Sequence, residues 1–564
     1  MVVTSSSQET TASRKTVSPK WLIVLLVAVL AVAGGGAAVL LAKKDDATSK
    51  ARDAAGAYLS GWTNRDYPAM AANADTPDPV LKYVLETTRA RLLVEKQSFR
   101  PGELVRTGHT ARVPYTAAMT LAGVGDFGYQ GTLDLRRGPD KVWRVAFGPT
   151  ALHPDLTPGA TLDRVAVLGK RGRLLDRTGA LLQGADNDLE NNLVGSVGPL
   201  DEAQAKAAGV GFSAGDKAGQ SGLERAYDGQ LAGKPGARIV VRAPGAADRT
   251  LQEYPAADGR DVRTTIDLKV QQAGEAGLSG LGRTAALVAI DARTGAVLSL
   301  VNHPSGASST AIRGQYPPGS TFKIVTTTAA LLKGLTEDSP LNCPKTEFAG
   351  GRSFKNSKDE AFGQINLFQA FYHSCNTAFV NLRDELTSAD MKRAADLFGF
   401  DEKPPLPIDS FGGVFPSGDS VDPYAAAFGQ SGVEASPLQM ASVAAGIAGG
   451  AWHRPFVAGK SPETHPIPPN VVDQMRGMMR AVVTRGTAAP VSFPGQVSGK
   501  TGTAEYGAGR NGADPPTHAW FAGYRGDIAF CVLVPGGGFG AEVAAPAAAH
   551  FLRALDAAGA PYSQ

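Results

Sequence analysis

Three short motifs that could together do acyl-transfer chemistry stand in fixed order along the chain. They are Ser320-Thr321-Phe322-Lys323, then Ser374-Cys375-Asn376, then Lys500-Thr501-Gly502-Thr503. Each pattern (S-x-x-K, S-x-N, K-T-G) occurs once, and the order carries more weight than any one of them. A serine hydroxyl is a weak nucleophile until a neighbouring base takes its proton. Residues three apart share a helical face, so Lys323 can reach Ser320 if the two lie on one helix. Lysine serves as that base only when burial or a nearby cation lowers its pKa, and Lys500 could be the cation. Ser374 and Asn376 offer a hydroxyl to relay a proton and an amide to hold a substrate backbone. Read alone, a Ser and an Asn at this spacing cap a loop or helix.

Those residues need elements to position them. Pro317-Pro318-Gly319 breaks the chain, and the apolar pattern through Ile324, Ala329, Leu331 and Leu332 predicts a helix with Ser320 near its N-terminus, where free N–H groups favour developing negative charge. Val497–Glu505 reads as a strand. Gly502 would leave room for a peptide laid along it, and Lys500, Thr501 and Thr503 would contact that peptide's terminal carboxylate. Lys500→Ala is expected to cost recognition more than stability, on the premise that Lys500 is a surface charge. A phosphate-binding loop is excluded, because residue 494 is Pro where G-x-x-x-x-G-K-[ST] needs Gly. Leu287–Ile290 and Val297–Leu300 flank a Gly-containing turn, and Trp520–Tyr524 with Ile528–Val532 makes a second pair, before a helix over about 545–557. Strands at both ends with helices between predict one sheet covered by helices. Arg525-Gly526-Asp527 is read as an ordinary hairpin turn.

At 564 residues, 43% apolar and 19% charged, the chain should hold several packed domains. A net charge of +3 without a basic, aromatic-interleaved stripe excludes nucleic acid as a partner. Eight histidines form no H-E-x-x-H, and Cys343, Cys375 and Cys531 match no zinc spacing, so no metal and no cofactor are expected. The three cysteines are expected to be buried thiols. Residues 21–42 carry no charge and suit a single transmembrane helix. Ala31-Val32-Ala33 resembles a signal-peptide cleavage site, but the apolar run continues to Ala42, which favours an uncleaved anchor. A helix is expected near 49–63 and a strand over 142–147 after a turn at 137–140. Residues 160–262 hold no evident nucleophile and read as a pedestal.

With these motifs in hand, the chain resembles a class B penicillin-binding protein, a monofunctional D,D-transpeptidase. Phe428-Gly429-Gln430, Ser436-Pro437-Leu438-Gln439-Met440-Ala441 and His518-Ala519-Trp520-Phe521 resemble the stretches that accompany the second and third motifs. Arg171-Gly172 with Asp176-Arg177-Thr178-Gly179 resembles the start of the family's pedestal, or dimerisation, domain. Residues 49–150 look like the NTF2-like extension of the methicillin-resistance type.

The resemblance implies an α+β multidomain fold. It would comprise a cytoplasmic tail (1–20), an anchor (21–42), an NTF2-like domain (49–150), a pedestal (155–262) and a β-lactamase-like transpeptidase domain (263–560) with an antiparallel sheet. It implies Ser320 as the nucleophile acylated by D-Ala-D-Ala stem peptides or β-lactams, and Lys323 as proton acceptor. Ser374 and Asn376 become the S-x-N pair, and Lys500, Thr501, Gly502 and Thr503 the substrate-binding strand. Backbone N–H groups of Ser320 and Thr503 become the oxyanion hole. It further implies a single-pass protein of the cell membrane with an extracytoplasmic catalytic domain, a role in cell shape or division, and a SEDS-type glycosyltransferase or other cell-wall machinery as partner. A D,D-carboxypeptidase shares the site, and a non-catalytic β-lactam sensor or divisome scaffold is the rival of another class. A β-lactamase is disfavoured by the missing E-x-x-L-N segment.

Overall fold

The computed structural model describes residues 46–184, 189–306, 309–402, 406–416, 422–508 and 514–562. The expected anchor at 21–42 lies outside the described residues, among which no helix is long and apolar enough to cross a membrane. Contacts divide the chain into two units. The first comprises 1–78, 99–116 and 132–147, and the second 79–98, 117–131 and 148–564.

The helix expected near 49–63 runs over Asp46–Asn64 and buries Tyr58, Leu59 and Trp62 on one face. Trp62 stacks on Phe99 at 3.8 Å and tilts against Tyr115 at 5.7 Å. The expected 142–147 strand is Trp143–Val145. It closes a sheet ordered Val94–Pro101, Thr110–Leu121, Gly125–Arg137, Trp143–Val145. Thr110–Leu121 alternates exposed and buried residues along nearly its whole length, the pattern of a sheet with one wet face.

In the pedestal, Thr161–Val167 pairs antiparallel with Gly236–Arg242, which pairs with Arg249–Tyr254. The segment around Arg171 meets a second one around Glu224 and Asp228. Arg171 donates to Glu224 at 2.6 Å and to Asp228 at 2.7 Å, and Glu224 is buried. Asp176 Oδ1 accepts from the backbone N–H groups of Thr178, Gly179 and Ala180, each at 2.8 Å. A Cβ on Gly172 would sit 2.4 Å from the Arg260 carbonyl oxygen, which is why this position has no side chain.

The catalytic-motif region is built on a five-stranded sheet ordered Val297–His303, Ala285–Asp291, Ile528–Val534, Thr517–Arg525, Val497–Glu505. Every neighbouring pair is antiparallel. All residues of Ala285–Asp291 and Ile528–Val534 are buried, so both sheet faces are covered. Leu268–Leu278 and Ala544–Ala557 pack together, with Gly277 admitting Phe551, and Pro437–Gly449 packs on the three central strands. The Arg525-Gly526-Asp527 turn joins two adjacent strands as expected. Arg525 is buried and forks onto Asp556 at 2.7 and 3.0 Å, which makes it a structural anchor.

Candidate active site

Ser320 lies in the 3-10 turn Gly319–Phe322, which runs directly into the α-helix Lys323–Leu332. The turn is pressed onto the Val497–Glu505 strand by positions without side chains. Gly319 is left-handed (φ 53°), and a Cβ there would lie 2.9 Å from Ala504 Cβ. A Cβ on Gly502 would lie 2.9 Å from the Pro318 carbonyl oxygen and 3.0 Å from Thr321 Cγ2. Gly502 therefore clears space for the serine-bearing turn itself. Gly429 acts the same way from behind: its carbonyl accepts from Gly319 N–H at 3.0 Å, and a Cβ there would lie 2.3 Å from the Gly319 oxygen. Trp520 Nε1 donates to the Pro317 carbonyl at 3.0 Å, tying the same turn to the next strand.

The second motif joins two helices, Leu367–His373 and Asn376–Asn381. Ser374 between them is left-handed, with φ 60° and ψ 33°. Both motif lysines converge on it. Lys323 Nζ donates to Ser374 O (2.7 Å), Ser374 Oγ (3.3 Å) and Asn376 Oδ1 (2.8 Å). Lys500 Nζ donates to Ser374 Oγ at 2.8 Å and to Thr501 O at 3.1 Å. Among the described residues no hydrogen bond joins Lys323 to Ser320. The expected direct contact is replaced by a hub at Ser374, and catalytic hydrogen bonds commonly tighten only with substrate present.

Lys323 and Lys500 are both fully buried. Burial, and secondarily the neighbouring Lys500, hold the Lys323 amine well below the usual lysine range. Phe379 and Phe428 supply part of that burial, with ring centroids 5.0 and 5.9 Å from Lys323 Nζ. Burial alone pushes Lys500 down to about 7. The premise that Lys500 is a surface charge is thereby overturned. The strand is buried along nearly its whole length, and the alternation of small residues around Lys500 gave no sign of this.

Ser320, Ser374, Asn376, Thr501 and Thr503 line one cleft of about 580 Å³. Thr501, Thr503 and Glu505 reach it together because alternate residues of a strand share a face. Sequence reasoning missed Thr487, whose hydroxyl lies 2.6 Å from that of Thr501. A lone Thr carries no signal of its own. It also missed a disulfide: Cys343 and Cys375 are bonded, with Cα atoms 6.3 Å apart, and only Cys531 is a free buried thiol. Cys375 caps the helix Asn376–Asn381, which packs on the Pro340–Cys343 strand and so brings the two cysteines together, a contact no spacing rule foretells. His518 is a packed residue. Burial lowers it to about 4, it stacks on Tyr506 at 4.1 Å, and its Nδ1 accepts from Gly536 N–H at 3.2 Å.

With this geometry described, similarity to known proteins can be placed on it. Residues 285–553 match the penicillin binding protein transpeptidase domain. Residues 183–264 match the penicillin-binding protein dimerisation domain, and residues 50–160 the NTF2-like N-terminal transpeptidase domain. Peptidoglycan D,D-transpeptidase PbpA of Mycobacterium tuberculosis is 33% identical over 339 residues, spanning 50% of this chain and 68% of that protein. The chain belongs to the class B penicillin-binding proteins. Another relative, PbpA of Mycolicibacterium smegmatis, is 31% identical over 61% of this chain and 79% of its own length. Among solved structures, Pseudomonas aeruginosa PBP2 in complex with WCK 5153 aligns with a TM-score of 0.59 at 25% identity, over 69% of this chain and 96% of that one. PBP2 from the Helicobacter pylori complex with MreC, at 17% identity and a TM-score of 0.62 over 71% of this chain and all of that one, shares the fold.

Proposed function

We propose that this penicillin-binding protein is a peptidoglycan D,D-transpeptidase that cross-links stem peptides through a Ser320 acyl-enzyme and is acylated and inhibited by β-lactams. One observation carries the reading: two buried lysines from distant motifs meet at Ser374 in the same cleft that Ser320 lines. The names of the relatives support it.

Ser320 Oγ attacks the penultimate D-Ala carbonyl carbon. Its proton passes to the neutral Lys323 amine, and the oxyanion forms against the N–H groups of Ser320 and Thr503. Lys500, Thr501 and Thr503 hold the substrate's terminal carboxylate, while Asn376 holds its backbone. As the tetrahedral centre collapses, the C–N bond breaks and Ser374 relays a proton to the leaving D-Ala amine. An amine of a second stem peptide then attacks the ester, returning the proton to Ser320 through the same groups. With water as acceptor the same steps give a D,D-carboxypeptidase. A non-catalytic scaffold role would leave the intact motif residues without work.

Residues 21–42 are the proposed single-pass anchor, with the catalytic part on the extracytoplasmic side. Residues 49–150, 155–262 and 263–560 are the proposed NTF2-like, pedestal and transpeptidase domains. A SEDS-type glycosyltransferase or other cell-wall machinery is the proposed partner, in line with the MreC complex formed by the H. pylori homologue.

The decisive test is covalent labelling with fluorescent penicillin. Wild type should give a band that Ser320→Ala lacks, with labelling reduced on the order of 10⁶-fold in rate. A band that persists in the variant refutes the assignment. Mass spectrometry of products from a pentapeptide-bearing lipid-linked precursor separates cross-linking from trimming.

A further inference from the structure

Ser374 is not glycine, yet its backbone is left-handed, a conformation that persists in a residue with a side chain only where its surroundings enforce it. Two buried devices flank it. Cys375, the next residue, is bonded to Cys343, and both are almost completely buried. Asn356, only 3% exposed, ties three segments together. Its Nδ2 donates to the carbonyls of Pro344 (2.8 Å) and Glu360 (2.9 Å), and its Oδ1 accepts from Thr377 N–H at 3.1 Å. Thr377 Oγ1 donates to the same Pro344 carbonyl at 2.8 Å. Residues 343–344, 356–360 and 374–377 are thereby fixed to one another. The next backbone carbonyl along, that of Lys355, accepts from Asn376 Nδ2 at 3.2 Å.

We infer that Asn356 and the Cys343–Cys375 disulfide form a clamp that positions Ser374 and Asn376 for acylation of Ser320. The inference rests on the proposed acyl-enzyme reading. Every hydrogen bond of Lys323 Nζ ends on the clamped segment, so the placement of the base depends on it. The carboxylate-holding residues Lys500, Thr501 and Thr503 stand on a separate sheet strand, which meets the clamped segment where Lys500 Nζ donates to Ser374 Oγ. Loosening the clamp should therefore slow the covalent step more than it weakens non-covalent recognition. The clamp also makes the site reducible. A dithiol exchanges with the bridge, giving two protein thiols and its own cyclic disulfide, with two electrons and two protons passing from the dithiol.

Stopped-flow acylation of the full chain in detergent by fluorescent penicillin resolves the non-covalent constant from the covalent rate constant. Cys343→Ser and Asn356→Ala are each expected to lower the rate constant at least tenfold while weakening the non-covalent constant by less, and to shift the acid limb of its pH profile. Should Cys343→Ser fail to fold, dithiothreitol-treated wild type takes its place and should show the same split, reversed on reoxidation. A rate constant within twofold of wild type overturns the inference, as does a loss confined to the fraction of molecules that label, which is the signature of a merely structural bridge. Wild type that does not label at all removes the underlying reading, and is distinguishable from both outcomes.

Discussion

The two motif lysines are asked to hold opposite charge states, and their burial makes that possible. Lys323 must be neutral to accept the Ser320 proton, so acylation rises with pH through its lowered pKa. Lys500 must be cationic to hold a carboxylate, so in the free protein recognition falls as pH rises through about 7. The ratio of acylation rate constant to non-covalent constant should trace a bell whose alkaline limb lies near that value. A flat profile from pH 6 to 9 would contradict it. Stability carries the opposite mark. Lys500 titrates at about 7 when folded and near 10.4 in an unfolded chain. Between those values the unfolded state binds more protons, so the Lys500 contribution to stability rises with pH across the window. Lys500→Met removes that contribution. The variant should melt at or above the wild-type temperature at pH 7 while losing carboxylate recognition, and the advantage should shrink by pH 9.5. At this scale the residues brought together around the cleft were legible from the three motifs. What was not legible was the hub: no spacing says that Lys323 turns to Ser374 and Asn376, or that Cys375 is bonded.

Elements are positioned here chiefly by absent side chains. The serine-bearing turn and the Lys500 strand touch through Gly319 and Gly502, so the depth of Ser320 in the cleft is set by backbone against backbone. Gly502→Ala should push the turn outward. A displacement of about 1 Å in a reacting group can cost on the order of 100-fold in rate, and acylation should fall by that order while the melting temperature drops by only a few degrees. An acylation rate unchanged in this variant would mean that the turn yields without moving Ser320. Helix assignments followed from periodicity where one face was apolar, as at Asp46–Asn64. The glycine contacts escaped because sequence reveals where a side chain is missing but not which neighbour fills the space.

Across the whole molecule, the pedestal segment around Arg171, which looked inert in sequence, proves to be part of a charge junction around buried Glu224. Removing one partner of a buried ion pair strands the other, at about 3–5 kcal/mol. Arg171→Ala should therefore lower the pedestal's melting transition strongly while the acylation rate constant of the molecules still folded stays within twofold, as thermal scans paired with penicillin labelling would report. Equal loss of both would place Arg171 in the catalytic machinery. The domain order was legible because each region carries its own motif or layout, whereas the Arg171–Glu224–Asp228 junction joins residues over 50 apart in sequence. Sheet order has a last consequence. Ala285–Asp291 pairs with Ile528–Val534, and the Lys500 strand joins that sheet only through Thr517–Arg525. A chain emerging from the ribosome has all three motifs by residue 503, yet two of the three central strands, Thr517–Arg525 and Ile528–Val534, are still to be made. Ser320 is expected to stay inert until Ile528–Val534 is synthesised, and any product truncated before Ile528 to be born without a cleft.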